Sequence, residues 1–152
     1  MTDNCFDSST LNGIHARINQ LNPESKAKWG TLNVTQMLTH MNDAVRIALG
    51  MKEAKDRSNF YWHYIAFPVA VYVLPAWPKG SATAPEMQQG KQGSPPRDFY
   101  TEAEFLKKLL DVFNEREEAK LKPHPMFGKL NKKQWRDLLL KHLNHHLTQF
   151  GV

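Results

Sequence analysis

At 152 residues the chain is the size of one domain, so 1–152 reads as a single unit and a multi-domain chain is not expected. Its 41% hydrophobic and 23% charged residues exclude a disordered chain, and the single Cys5 excludes an internal disulfide, which points to a reducing, cytoplasmic setting. The formal charge of +5 is dispersed over Lys26/Lys28, Lys52/Lys55/Arg57, Lys107/Lys108 and Lys129/Lys132/Lys133/Arg136 among interspersed acids, so no nucleic-acid platform is expected.

Met1 to Thr10 carries Asp3 and Asp7 and no apolar core, so no signal peptide is expected. Ser8 or Ser9 can cap a first helix, in which Leu11, Ile14, Ile18 and Leu21 recur at helical spacing until Asn22-Pro23 breaks it. Asn33, with Gln36 three residues on, makes a capping pair for a second helix. Its apolar face runs through Val34, Met37, Leu38, Met41, Val45 and Leu49, and Gly50 stops it. The apolar run Phe60 to Leu74 is interrupted by His63 and Pro68 and, at about fifteen residues, is short of the ~20 that span a bilayer. A buried or surface-lying helix is expected there, and no membrane partner.

Further on, Pro75, Pro78, Pro85, Pro95 and Pro96 with Gly80, Gly90 and Gly93 argue that Lys52 to Tyr100 is an extended surface crossover with room for one short helix. Thr101-Glu102-Ala103-Glu104 reads as a capping box ahead of Phe105, Leu109, Val112 and Phe113. Lys122 to Gly128 is a Pro-bounded turn. Asn131 with Gln134 repeats the cap and opens a last helix that reaches Phe150 and ends at Gly151. Four amphipathic helices and one long crossover between the second and third make an all-α four-helix bundle.

Three of the seven histidines fall within five residues of the last helix. On a helical wheel His142 and His146 lie near the centre of the inward stripe formed with Trp135, Leu138, Leu139, Gln149 and Phe150, whereas His145 lies at its margin. Two imidazoles one turn apart on one face have the separation that a single metal ion bridges. A third ligand is needed, and His40 in the second helix is the leading candidate, although its place on the flank of that helix's apolar face permits the role without demanding it. Inward histidines can equally be hydrogen-bonded core residues. His15 reads as a helix-packing residue, and His63 and His124 as structural hydrogen-bonders. The four tryptophans read as core. No Gly-rich phosphate loop, CxxC pair or nucleophile elbow is present.

The stretch His142-Leu-Asn-His-His146-Leu-Thr-Gln149 resembles the last-helix motif of the DinB-like (DinB/YfiT-type) superfamily, where His-x-x-x-His is followed three residues later by Gln. Trp29-Gly-Thr-Leu-Asn33-Val-Thr-Gln-Met-Leu-Thr-His40 is similar to that family's other signature, a Trp-led segment closing on a lone His. The turn His124-Pro-Met-Phe-Gly-Lys-Leu130, followed by Trp135 and Lys141-His142, looks like a branch of the superfamily without an assigned reaction. The resemblance covers Leu11 to Gly151 and departs from the family where Leu147-Thr148 replaces a common Arg-Gly. It implies a bundle in up-down-down-up order and a divalent metal held by His40, His142 and His146. It also implies thiol-dependent S-transferase or isomerase chemistry on low-molecular-weight thiols, and a homodimer.

Three neutral imidazoles leave the ion its full charge and an open position, the arrangement of a catalytic site. The leading expectation is a metal-dependent thiol S-transferase acting on a small molecule, with Gln149, one turn beyond His146, orienting a ligand. Zn, Ni or Fe suits the donors. The alternatives are a metal-dependent hydrolase sharing the site, and a non-catalytic, metal-stabilised module that uses the aromatic run Phe60 to Tyr72 and the crossover for self-association or partner binding.

Overall fold

The computed structural model describes residues 5–152, so the first four residues of the Met1–Thr10 segment lie outside it. Four α-helices carry the fold: α1 (Ser8–Gln20), α2 (Val34–Ala48), α3 (Phe99–Glu115) and α4 (Lys132–Gln149). No strand occurs among the described residues, only an isolated bridge between His124 and Gly128.

Local capping chemistry sets the helix starts. At Asn33 and Asn131 both halves of the capping box are present, the Asn side chain accepting from Gln36 N or Gln134 N and the Gln side chain accepting from the Asn backbone N–H. Each such cap is worth about 1 kcal/mol. Two other starts differ from expectation. Asp7, rather than Ser8 or Ser9, caps α1, because its carboxylate accepts from both Thr10 N and Thr10 Oγ1 at 2.8 Å. Asp98 caps α3 in the same way through Thr101, so that helix begins at Phe99, ahead of the Thr101–Glu104 box. Glu102 is instead drawn into the interior, where Arg97 Nε donates to it at 2.8 Å and Asn42 Nδ2 at 2.6 Å.

The core has one large cluster and a small satellite under the crossover. α2 lies at its centre, packed on α3 and α4, and α1 covers α3. Leu38, Met41, Val45, Leu106, Leu110, Phe113, Leu139 and Leu143 are fully buried there, each side chain contributing on the order of 1.5–3 kcal/mol. Trp135 is buried too, its Nε1 donating to Lys122 O at 3.0 Å.

The helix expected over the apolar run Phe60 to Leu74 is present within the crossover. Residues 60–73 form one continuous helix, wound as π-helix over Trp62–Ala66 and Val69–Val73. Phe67 N–H reaches back five residues to Trp62 O, and Leu74 N–H to Val69 O. Pro68 stands between the π turns. Its missing N–H and its ring break the regular i→i−4 ladder, and the looser winding accommodates both. Phe67 and Val71 turn inward to the core. The rest of the crossover is irregular except for a 3₁₀ turn at Pro85–Met87, whose Ala84 and Met87 pack on Ala44 and Ile47 of α2.

A buried carboxylate ties the crossover to α2. Asp43, with no exposed surface, accepts from Ser94 N at 2.7 Å, Ser94 Oγ at 2.6 Å, Lys52 Nζ at 2.9 Å and Arg46 Nη1 at 3.2 Å. Among the described residues no helix is long and apolar enough to cross a membrane.

Candidate metal centre

α2 contributes His40 and α4 contributes His142 and His146, and the packing of the two helices closes the three rings into a nearly equilateral triangle. Ring centroids stand 4.9 Å apart for His40–His142, 4.8 Å for His40–His146 and 4.9 Å for His142–His146. One nitrogen from each ring lies within 4.8 Å of the others. His40 and His146 are buried, and His142 is half-buried.

Hydrogen bonds on the far side of two rings fix which nitrogen faces the centre. His40 Nδ1 lies 2.8 Å from Met87 O. A carbonyl can only accept, so Nδ1 carries the proton and Nε2 presents a lone pair. His146 Nδ1 lies 2.8 Å from Gln149 Oε1, and that amide is oriented by its own Nε2, which donates to Trp29 O at 2.8 Å. His146 Nε2 is therefore bare as well. His40 Nε2 and His142 Nε2 are 2.9 Å apart, a contact that needs a positive centre between two nitrogens: a proton on His142 or a cation shared by all three.

A divalent ion fits this donor set. Separations from 2.9 Å up to 4.8 Å bracket the ~3.4 Å between nitrogens that each lie about 2.1 Å from a tetrahedral ion. The partners of His40 and His146 are those that metal-bound histidines use to hold ring orientation. Burial, the largest cause, together with the neighbouring imidazoles, holds all three rings in the unprotonated form that coordination requires, His146 down to about 3.

The rim is aromatic. Trp77, anchored by Nε1 donating to Ala70 O at 2.8 Å, lies 5.2 Å from the His142 ring and 5.9 Å from that of His145. His145 also meets Trp29 edge-on at 5.9 Å, and Lys79 Nζ stands 4.9 Å over the Trp29 ring. Trp29 and Trp77 are thus rim residues of the centre more than core, a role that no helical periodicity could signal because both sit in irregular segments.

Among the candidates, the structure brings His40, His142, His146 and Gln149 together, with His145 at the margin. The other histidines lie elsewhere. His63 Nδ1–H donates to Phe127 O at 2.6 Å. His124 Nδ1 accepts from both Met126 N and Phe127 N at 3.1 Å. His15 Nε2 is 3.3 Å from Asp111 Oδ1 across the α1–α3 contact.

Residues 4–151 match the family described as a protein of unknown function, DUF1569. The chain belongs to that family. No curated protein and no solved structure matches it.

In this DUF1569 chain Gly30 is the residue that lets Gln149 reach its place. It has φ +81°, and a Cβ there would stand 2.7 Å from Gln149 Nε2. Gly30→Ala should push the amide off Trp29 O and free the His146 ring. Metal affinity, measured by competition with a chromophoric chelator, should fall about 10–100-fold, with a loss of about 1–2 kcal/mol in stability from the left-handed backbone.

Acid should destabilise this DUF1569 fold through His124. Burial holds His124 at about 3, whereas the same ring in the unfolded chain protonates near 6.5. Between those values the unfolded state binds the extra proton, so stability is complete above pH 6.5 and falls as pH drops. The loss at pH 5 is about 2 kcal/mol from this ring, and His146 adds in the same direction. Urea unfolding of metal-free protein at pH 7 and pH 5 measures it; equal stabilities would contradict the buried neutral ring.

Proposed function

We propose that this chain is a divalent-metal-dependent enzyme of the DinB-like kind that transfers a thiol sulfur onto an electrophilic small molecule, its ion held by His40, His142 and His146. The observation that carries the reading is the convergence of three imidazole nitrogens within 4.8 Å, two of them stripped of protons by hydrogen bonds to Met87 O and Gln149 Oε1. The all-helical fold with its long connection between α2 and α3 supports the DinB-like assignment and its up-down-down-up order. Zinc, nickel or iron(II) matches three imidazoles. Held by these three rings, such an ion would supply Lewis acidity and would lower the pKa of a thiol that it bound.

The protein's own residues hold and shield that position. Met87 O and Gln149 fix two rings, so little reorganisation accompanies the reaction. Trp77 walls the half-buried side of His142 and limits water there, and Trp29 extends that wall over His145. The thiol must come from solution. Cys5 is buried, its S–H directed at Lys132 O at 3.5 Å, and burial pushes the thiol up to about 11. Lys132 opens α4, ten residues and about 15 Å before His142. A thiol from solution fits this reading, in line with the low-molecular-weight thiols that the DinB-like resemblance implies.

The test is conjugation of a chromogenic aryl halide with a small thiol by untagged protein loaded with zinc, nickel or iron(II). Metal-dependent conjugation is expected. Cleavage of model esters without thiol would assign the site to hydrolysis instead.

A further inference from the structure

The donor set of the centre offers no negative charge of its own. Its three rings are neutral imidazoles. The carboxylate whose charge bears on them, Asp43 one turn beyond His40, is already paired with Lys52 Nζ at 2.9 Å and Arg46 Nη1 at 3.2 Å. A divalent ion held there keeps nearly its whole charge, and a bound thiolate sulfur cancels only half of it. A cation withdrawn from water without a counter-charge is costly. The surplus favours a second anionic group on the small molecule that enters.

The chain sets a cation at the rim to meet such a group. Pro78 to Ser81 form a tight turn, closed by Ser81 N–H donating to Pro78 O at 3.2 Å, with Ser81 Oγ donating to the same carbonyl at 2.6 Å. Gly80, at φ +75°, takes the left-handed place that a type II turn gives its third residue. Lys79 therefore stands exposed at the corner, its Nζ 4.9 Å over the Trp29 ring. Among the described residues no carboxylate or carbonyl engages that ammonium. Lys141, the residue before His142, is by contrast occupied by Leu74 O and Pro75 O.

Between Lys79 and the three rings lies an aromatic slot. Trp29 meets His145 edge-on at 5.9 Å, and Trp77 lies 5.9 Å from His145 and 5.2 Å from His142, both indoles half-buried. His145 packs in turn on His146 at 5.0 Å. Among the described residues no protein group hydrogen-bonds to the His145 ring, so a polar side chain stands without a partner between two flat apolar walls. Such a slot suits a flat apolar body with a polar end. The indole face under Lys79 removes water from one side of the ammonium, which strengthens its attraction for an anion.

We propose that Lys79 is a specificity-determining residue, which holds a carboxylate on a flat small molecule whose reacting end lies at the triangle of His40, His142 and His146. The inference rests on the thiol-transfer reading above and narrows its substrates to anions. Lys79 Nζ donates to the carboxylate, Trp29 and Trp77 flank the body, and His145 offers a ring N–H between them. The carboxylate belongs to the thiol or to its electrophile, and direct binding tells the two apart.

Two pairs of probes on the cobalt(II)-substituted full chain make the test. For the thiol, para-mercaptobenzoate is compared with its neutral amide through the cobalt–thiolate charge-transfer band. For the electrophile, chloronitrobenzoate is compared with its amide through quenching of tryptophan emission. In one pair the carboxylate should bind about tenfold tighter, the strength of a charge-assisted hydrogen bond, and that pair names the molecule that carries the charge. Lys79→Met should cut the ratio to about twofold or less, Lys79→Arg should keep it and Lys79→Glu should reverse it, with cobalt content unchanged in all three. A preference that survives Lys79→Met overturns the proposal. Thiol binding with no preference for charge in either pair overturns it alone, whereas no cobalt–thiolate band with either thiol overturns the thiol-transfer reading and this inference with it.

Discussion

His142→Ala should abolish metal binding while the helices stay folded. The centre has three donors, and removal of a group that merely orients a ligand already lowers affinity about 10–100-fold. Removal of a ligand itself should exceed that, taking the purified protein from about one ion per chain to almost none. The fold should tolerate the change because His142 is half-buried, bears on Trp77 at the rim, and contributes little to the hydrophobic core. His40→Ala should lose the metal equally, whereas His145→Ala should keep it, since that ring packs edge-on against His146 and against Trp29 and Trp77 but places no nitrogen in the three-donor cluster. Elemental analysis of the three variants decides the matter. Retention of metal in His142→Ala would remove that residue from the ligand set.

Asp43→Ala should produce the largest loss of stability in the chain outside the core. The substitution leaves Lys52, Arg46 and two groups of Ser94 facing an apolar methyl, and loss of one partner from a buried charge network costs about 3–5 kcal/mol. In a chain of this length that lowers the melting temperature by about 10 °C. Asp43→Asn should cost less, because the amide oxygen can still accept from Ser94. The same change should reach the metal centre. Ser94 O accepts from Gln89 Nε2, two residues from the Met87 carbonyl that holds His40, so the crossover loosens where it aligns the ring. A loss of stability below about 1 kcal/mol in Asp43→Ala would show that the network does not fasten the crossover.

Signals that are local in the chain proved legible in the sequence. Asn33 with Gln36 and Asn131 with Gln134 lie three residues apart and set two helix starts on their own. The pairing of His142 and His146 on one face follows from helical geometry alone. Signals that depend on distant partners were not legible. Thr101-Glu102-Ala103-Glu104 has the form of a capping box, yet Asn42, sixty positions away, and Arg97 claim Glu102. Asp43 gives one faint sign, as the only acid in a helix buried on nearly every side, but Ser94 is remote from it in the chain.

His40 shows the same limit. Its wheel position permits coordination, and only the docking of α2 on α4, with Met87 O brought behind the ring by the 3₁₀ turn, makes Nε2 face the other two imidazoles. The exposed apolar residues of the crossover helix fall at 60/64/72 and 61/65/69/73, a period of four that matches neither the 3.6 nor the 2.0 repeat by which helices and strands are read. The apolar run still announced a helix over Phe60 to Leu74, and only its π winding went unread.

The central claim is that three imidazoles from two helices hold one divalent ion. Anomalous diffraction at the absorption edges of zinc, nickel and iron, on crystals of untagged protein, tests it most directly. The account predicts one strong peak about 2.1 Å from nitrogens of His40, His142 and His146, lost in crystals of His142→Ala. Metal-replete protein whose anomalous peak lies away from these rings, or rings that remain joined only by an N–H···N bond, would contradict it.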